Sequence, residues 1–265
     1  MQKNSIGYIV VFAGIVCVVC SALVSVTAVS LKPRQDANLL LDKQKKVLSV
    51  AGLIGEGSSP TAEEVETIFS ENIDMQVIDV KNGTVAEGAD IGNLLAYDQQ
   101  AVSKTSDGGY DAPKNKAKVA RIPNYVVMYT IKDGEGNPAQ YVLPVESMGL
   151  WGTMYGFLAL DTDGNTIKGL TFYKDKETPG LGAEINNPSW KAKWPGRLVY
   201  GESGSVDIKV IKGAAGSVEE APYNVDGLSG ATLTSNGVTN LFEFWMGEEV
   251  FGPLIANLTG EGSNA

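Results

Sequence analysis

Residues Asp226-Gly227-Leu228-Ser229-Gly230-Ala231-Thr232-Leu233-Thr234-Ser235 form a short stretch of small, hydroxyl-bearing residues. An apolar run at helical spacing follows it, which predicts a helix from Asn236 to Met246 with this stretch at its start. A helix start offers unpaired backbone N–H groups and the positive end of the helix dipole, and glycines allow close approach of an anion. The stretch therefore suits a bound phosphate. The alternative is an ordinary capped helix behind a surface turn.

The Asp226–Thr232 string resembles the flavinylation motif, in which FMN is joined through its phosphate to a threonine hydroxyl. The longer string through Gly237 is similar to the NqrC family of the sodium-translocating NADH:quinone reductase, and the G-type proteins of Rnf complexes share the motif. The resemblance implies covalent FMN on Thr232. It also implies that Asp226 and Gly227 belong to the motif used by a flavin transferase, and that the remaining residues of the loop bind the cofactor: Ser229, Gly230, Ala231, Leu233 and Thr234.

Two further glycine-rich segments match the same family pattern. In Gly149-Leu150-Trp151-Gly152 a large aromatic residue lies between two glycines, and in Lys176–Gly182 the Pro179-Gly180 pair predicts a turn. From the residues alone, the first is a strand-edge bulge with a core tryptophan and the second a connecting loop. The resemblance instead implies that they contact the flavin, through Trp151, Thr178, Gly180, Leu181 and Gly182.

Composition excludes several classes of function. The chain has 265 residues, no histidine and a net charge of -10. The absence of histidine removes Ser-His-Asp triads and histidine metal sites, and the negative charge argues against nucleic acid as a partner. The Asp163-Gly164-Asn165 turn lacks the ligands of a calcium loop. We therefore expect no catalytic residue and no metal site.

The apolar run Ile6–Leu31 carries no charged residue and is long enough to span a bilayer. We expect a retained membrane anchor that contacts lipid through residues 6–31, the alternative being a cleaved signal peptide. Cys17 and Cys20, one helical turn apart in this run, are interpreted as small apolar residues, with a metal site shared with a partner protein as the alternative.

The charges that flank this run and the family pattern disagree about orientation. Lys3 precedes the run, whereas Lys32 and Arg34 follow it, which favours a cytoplasmic C-terminal domain under the positive-inside rule. The resemblance implies a single-pass protein of the bacterial inner membrane with its soluble domain on the periplasmic side. Because long domains translocate largely regardless of charge, we adopt the periplasmic orientation as the expectation.

The pattern along the chain predicts an α+β fold: a single N-terminal transmembrane helix, then an antiparallel-sheet domain with flanking helices. The resemblance implies that this is an FMN-binding domain. Helices are expected over Asp36–Ala51 and from Pro60, and Tyr97–Lys118 is expected to be a surface excursion. Strands are expected over Met75–Val80, Tyr125–Ile131, Gln140–Val145, Tyr155–Leu160, Ile167–Tyr173 and Val206–Ile211. The helices should lie on one side or end of the sheet. We divide the chain into an anchor (1–35), a membrane-proximal region (36–120) and an FMN-binding domain (121–265).

Three functions fit these features. The first, implied by the resemblance, is an electron-transfer subunit of a sodium-translocating NADH:quinone (ubiquinone) reductase, with covalent FMN and with subunits of the A, B, D, E and F types as partners. Electrons would pass from an iron–sulfur centre to a flavin on the B-type partner. The second is a G-type subunit of an Rnf complex, and the third a cofactor-free anchored binding or scaffold module. No Gly-x-Gly-x-x-Gly fingerprint is present, so no NADH site is expected.

Overall fold

The computed structural model describes residues 6–55 and 57–260. The chain forms two compact units, Met1–Asp42 and Lys43–Ala265. Lys3 lies outside the described residues, as do residues 1 and 265, where the first and the last predicted divisions of the chain begin and end. The division of the chain at residues 35 and 120 stays a prediction.

Helix α1 spans Ile6–Val50. By length and composition it can cross a membrane, and the apolar side chains of its first half are exposed. Such a surface is unfavourable in water and suits lipid. Cys17 and Cys20 are both exposed on this helix. The helix ends before Gly52, which takes a left-handed φ of 74°, as the sequence predicts.

The second unit is built on a six-stranded antiparallel sheet in the order β2-β1-β5-β6-β7-β8. The predicted hairpins are confirmed, although several strands are longer than expected. In the part of the chain that the structure describes, the strands are β1 (Ile73–Asp79), β2 (Thr84–Val85), β3 (Gly109–Asp111), β4 (Arg121–Pro123), β5 (Tyr125–Lys132), β6 (Pro138–Met148), β7 (Thr153–Asp161), β8 (Ile167–Lys174), β9 (Lys209–Val210) and β10 (Asn224–Val225). The other helices are α2 (Ala62–Asn72), α3 (Gln99–Ser103), α4 (Pro188–Lys191), α5 (Thr232–Trp245) and α6 (Gly252–Thr259), with a 3₁₀ turn at Gly182–Asn186.

Helices cover both faces of the sheet, so the prediction that they lie on one side or end is wrong. Helix α5 packs on β6, where the Ser147 hydroxyl donates to the carbonyl of Gly237 at 2.7 Å. On the opposite face Phe69 of α2 meets Tyr129 edge to face at 6.0 Å, and Gln100 of α3 donates to the Tyr173 hydroxyl at 3.1 Å. Both faces of β5, β6 and β7 are therefore buried, which explains why these strands are apolar on both sides.

The two tryptophans that follow β8 are packing residues. Trp194 is fully buried and stacks on Phe242 of α5 with ring centroids 5.2 Å apart. Trp190 is buried beside it and donates from Nε1 to the carbonyl of Asp226 at 2.9 Å. This pair therefore connects α5 to the loop that precedes it.

Three other expectations are corrected. Helix α5 begins at Thr232, four residues before the predicted start at Asn236. The predicted strand Val206–Ile211 is shorter in the structure and consists only of β9, which pairs in parallel with β10 outside the main sheet. It is short because the N–H groups of residues 207 and 208 donate to the carbonyl of Val199 and not to a neighbouring strand. The Tyr97–Lys118 segment contains α3 and β3, and it buries Ala117.

Glu146 of β6 lies on the sheet face that carries Tyr155 and Tyr173. It is opposite Tyr155 in the register, on the side away from α5. Burial raises the pKa of the Glu146 carboxyl from 4.5 to about 7; Lys104 lowers it and Asp98 raises it. Charging this carboxyl in the folded protein is therefore unfavourable.

Glu146 should make the stability of the protein depend on pH. Its folded-state pKa lies above the unfolded value, so its contribution is most favourable at low pH and is lost as the pH rises from about 4.5 to about 7. The loss should be at most roughly 3 kcal/mol. Glu146→Gln should therefore be more stable than the wild type at pH 8 and should flatten the profile, measured by urea unfolding. Glu135→Gln, in the exposed β5–β6 turn, is the matched control; equal profiles for wild type and Glu146→Gln would contradict the expectation.

Candidate functional site

The start of helix α5 presents an exposed hydroxyl at Thr232. The first bond of the helix runs from the N–H of Ser235 to the carbonyl of Ala231 at 3.0 Å. The N–H groups of Thr232, Leu233 and Thr234 therefore precede the helical ladder, and no side chain caps the helix. Thr232 is its first residue and is exposed. The helix dipole adds positive potential at this end, which favours a phosphate group.

Thr234 differs from Thr232 although only two residues separate them. Thr234 is fully buried, and its hydroxyl donates to Oε2 of Glu177 at 2.5 Å. The next hydroxyl, of Ser235, is also buried and accepts a hydrogen bond from the N–H of Leu228 at 3.2 Å. Among the hydroxyls of the first helical turn, the one at Thr232 is therefore exposed while those of Thr234 and Ser235 are engaged inside the protein.

Two similar turns face each other beside this helix start. Leu181 N–H donates to the carbonyl of Thr178, and Ala231 N–H donates to the carbonyl of Leu228, both at 3.1 Å. Each turn has a glycine at its third position, Gly180 with φ 75° and Gly230 with φ 73°, as a turn with a left-handed residue requires. A Cβ on Gly230 would lie 3.0 Å from Leu181. The Ser229–Gly230 turn therefore packs closely against the loop after β8.

A single buried carboxylate connects three segments of the site. Glu177 is 7% exposed and follows β8. Its Oε1 accepts the backbone N–H of Trp151 at 2.9 Å, and its Oε2 accepts the Thr234 hydroxyl. The β6–β7 turn, the loop after β8 and the start of α5 thus meet at one side chain.

The glycines around this carboxylate leave the room that it occupies. A Cβ on Gly149 would lie 2.5 Å from Oε1 of Glu177, and one on Gly182 would overlap Oε2 and lie 2.6 Å from the Thr234 hydroxyl. A Cβ at Gly227 would collide with the carbonyl of Ile211. These positions therefore require glycine, because the loops pack too closely to leave room for a side chain.

Large apolar side chains are exposed on the same three segments. Trp151 is 64% exposed, Leu233 59% and Leu181 44%, and Met148 and Leu150 next to Gly149 are exposed as well. Trp151 is therefore no core residue, and the alternative of a bulge with a buried tryptophan is wrong. Exposed apolar side chains gathered in one place mark a binding surface, and a flat apolar ring system fits them.

Asp226 fixes the loop that leads to Thr232. Its carboxylate accepts from Lys193 Nζ at 2.7 Å and from the N–H of Ala215 at 2.9 Å. Burial alone would raise its pKa, but the hydrogen bonds from Lys193 and Ala215 outweigh burial and lower the pKa of Asp226. The motif aspartate thus acts here as a structural brace.

The structure brings the residues expected from the sequence into one region, with Asp226 and Gly227 at its base. Ser229, Gly230, Thr232, Leu233, Thr178, Gly180, Leu181 and Trp151 are exposed there, and Ala231, Thr234 and Gly182 lie beneath them. Sequence reasoning missed Glu177, which it treated only as part of a loop. The signal in the sequence was an acidic residue inside the glycine-rich segment Lys176–Gly182, directly before Thr178-Pro179-Gly180. In residues 6–55 and 57–260, no group of His, Cys, Asp or Glu could hold a metal ion.

Comparison with known proteins agrees with this geometry. A family model described as an FMN-binding domain matches residues 149–247, a range that begins at Gly149 and includes all three segments. The C-type subunit of the Na(+)-translocating NADH-quinone reductase of Vibrio campbellii is 40% identical over 265 residues, 99% of this chain and 97% of that protein. Its counterpart from Pseudomonas aeruginosa is 41% identical over 247 residues, 92% of each chain. The chain belongs to the NqrC family.

Solved structures carry the same fold. The crystal structure of Shewanella oneidensis NqrC matches with a TM-score of 0.76 and 30% identity, covering 84% of this chain and 99% of that one. The corresponding reductase subunit from Parabacteroides distasonis matches with a TM-score of 0.63 and 28% identity, over 85% and 96% of the two chains. The predicted α+β architecture is thereby confirmed. With its apolar N-terminal helix, the chain is a membrane-anchored member of the family.

Proposed function

We propose that this chain is the electron-transfer NqrC component of a Na⁺-translocating NADH:quinone reductase and carries FMN covalently on Thr232. It would relay electrons between an iron–sulfur centre in the membrane subunits and a flavin on the B-type partner. Its partners would be subunits of the A, B, D, E and F types, and a flavin transferase would attach the cofactor. The observation that carries the proposal is the exposed Thr232 hydroxyl, at an uncapped helix start beside exposed apolar side chains.

The residues present fit FMN. The N–H groups at the start of α5 and the helix dipole suit its phosphate, and the apolar side chains of Trp151, Leu181 and Leu233 suit its ring system. The turn Thr178–Leu181 lies at the edge of the same surface and offers the Thr178 hydroxyl and backbone groups for hydrogen bonds to the cofactor. When bound, FMN supplies the electron-transfer chemistry, and the protein supplies binding, orientation and electrostatics.

Thr232 is favoured over Thr234 as the attachment residue by access alone. A transferase must reach the hydroxyl from solvent, and Thr232 is exposed whereas Thr234 is fully buried against Glu177. Asp226 and Ser229 would contribute differently to recognition. Asp226 braces the loop from within, whereas Ser229 is exposed at the turn.

Two alternatives are weaker. A G-type Rnf protein would share the motif, but relatives that align with this chain over nearly its full length are named as the C-type component of the quinone reductase. A cofactor-free scaffold would leave the exposed Trp151, Leu181 and Leu233 without a role. A yellow colour that persists after denaturation separates a covalent flavoprotein from such a scaffold.

Protein purified from its own membranes should carry FMN on Thr232 through a phosphodiester, so the intact mass should exceed that of the bare chain and the adduct should survive denaturant. Peptide mapping should place it on the fragment with Thr232. Thr232→Ala should abolish attachment but change stability by less than about 0.5 kcal/mol, because the hydroxyl is exposed. An adduct on Thr234, or a colourless native protein, would exclude this assignment.

In the assembled reductase, Thr232→Ala should stop quinone reduction and sodium transport while NADH still reduces the centres upstream. The reason is that this chain is proposed to relay electrons and has no NADH fingerprint of its own. The isolated flavinylated chain should accept electrons from dithionite but not from NADH, followed by flavin absorbance. Rapid reduction of the isolated chain by NADH would reveal a dinucleotide site and overturn the relay assignment.

The domain after α1 should lie on the periplasmic side of the inner membrane, with residues 6–31 in lipid. Lys32 forms an exposed ion pair with Asp36 at 2.8 Å, but acidic residues weaken the positive-inside signal little, so the charges still oppose this orientation. A reporter fused after Ala265 should be active only if it functions outside the cytoplasm. Activity of a cytoplasm-only reporter at that position would reverse the orientation.

A further inference from the structure

We propose that Glu177 is the positioning residue of the flavin site. Its carboxylate holds the backbone of Trp151 and the hydroxyl of Thr234 at the same time, and so sets the relative placement of the β6–β7 turn, the loop after β8 and the start of α5. The flavin part of this proposal rests on the proposed function. The positioning part concerns the protein alone.

The position of Glu177 depends on its own loop as well. The N–H of Glu177 donates to Asp175 Oδ1 at 2.9 Å, and the other oxygen of Asp175 accepts from Asn186 Nδ2 at 2.8 Å. The loop that carries Glu177 is thus held by its own hydrogen bonds through Asp175. Each oxygen of the Glu177 carboxylate accepts one hydrogen bond from a different segment. Hydrogen bonds to a buried carboxylate are stronger than those between neutral groups, which suits a single side chain to hold three segments.

Thr234 and Trp151 are coupled through this side chain. Gly149 and Gly182 pack closely against the Glu177 carboxylate, since a Cβ at either position would clash with one of its oxygens. Removing one hydrogen-bond partner should therefore loosen Glu177 and weaken its hold on the other partner. Such coupling is the property that separates a positioning residue from one that only fills space.

The side chain of glutamine can replace both contacts. Its carbonyl oxygen can accept the Trp151 N–H, and its amide can donate to the Thr234 hydroxyl, which then acts as acceptor. Alanine can replace neither contact. Glu177→Gln is accordingly the conservative variant that should rescue the arrangement, and Glu177→Ala the one that should lose it.

Hydrogen exchange of the full chain in detergent, without flavin, tests the positioning part. Glu177→Ala should raise exchange at Trp151 by about tenfold or more, as expected for the loss of a hydrogen bond to a charged group, while Glu177→Gln stays near the wild type. Thr234→Val should also raise exchange at Trp151, although it changes a different segment. Thr67→Val, which removes an exposed hydroxyl on α2, is the matched control and should leave Trp151 unchanged.

If Glu177→Ala does not fold, Thr234→Val decides the question. Unchanged exchange at Trp151 in Thr234→Val, or a Glu177→Gln variant that is as unprotected as Glu177→Ala, would overturn the proposal. Protection at Trp151 that falls in Thr234→Val and is kept in Glu177→Gln supports it.

The flavinylated full chain tests the second part. Fluorescence anisotropy of the attached flavin should fall in Glu177→Ala and Thr234→Val and be restored in Glu177→Gln, because the ring loses a fixed surface formed by Trp151, Leu181 and Leu233. A wild-type chain without flavin would refute the proposed function, while the exchange data would still decide the role of Glu177. In the other case, the wild-type chain carries flavin while Glu177→Ala and Thr234→Val change neither the flavin anisotropy nor the exchange at Trp151. That result would refute the role of Glu177 and leave the proposed function standing.

Discussion

The arrangement of the candidate site depends on the buried carboxylate of Glu177. Burying a carboxylate is unfavourable unless hydrogen bonds compensate the lost solvation. Here the compensating donors come from two other segments, the backbone of Trp151 and the hydroxyl of Thr234. Because the donors are far apart along the chain, the carboxylate is satisfied only when all three segments are in place. The local geometry of the site is thus tied to the completed fold.

The sheet provides the rigid frame that delivers these segments. Strand β7 pairs antiparallel with β6 in continuous register and with β8 across two register shifts. Because Met148 pairs with Thr153 and Lys174 pairs with Tyr155, the turn after Met148 and the loop after Lys174 emerge at the same edge. Helix α5 lies across β6, where Gly237 allows close approach: a Cβ there would lie 2.5 Å from the carbonyl of Met148. The start of α5 is consequently placed beside that edge, with Thr232 at the surface.

Much of the fold could be predicted from the sequence, because its signals are local. The hairpins between residues 125 and 174 follow from apolar runs separated by glycine-containing turns, and the site loops contain glycines at the positions where φ is positive, Gly180 and Gly230. The early start of α5 was not predictable from propensity, because Thr232, Thr234 and Ser235 favour non-helical backbone. The long-range hydrogen bond from the Thr234 hydroxyl to Glu177 and the bond from the Leu228 N–H to the Ser235 hydroxyl outweigh that preference.

The role of Glu177 was hidden for a related reason. Acidic residues in loops are usually solvated, and no local pattern distinguishes one whose partners lie on β6–β7 and α5. The same applies to the short β9, where the alternation over Val206–Ile211 resembles that of a longer strand. There the N–H groups of residues 207 and 208 bond to Val199 instead of to a strand of the main sheet. The family resemblance singled out the three segments of the candidate site, and the long-range hydrogen bonds through Glu177 determine how they meet.

An exposed site explains why a covalent bond would be useful in the proposed function. Trp151, Thr178, Leu181, Thr232 and Leu233 are all exposed, so a flavin on this surface would keep an edge accessible to a partner protein. The same exposure leaves little buried area to retain a free cofactor. A bond at the helix start would hold the flavin at high effective concentration beside its surface without enclosing it. Anchoring at Thr232 and fixed loops around Glu177 would thus meet two requirements of an electron relay, access for partners and a constant position of the cofactor.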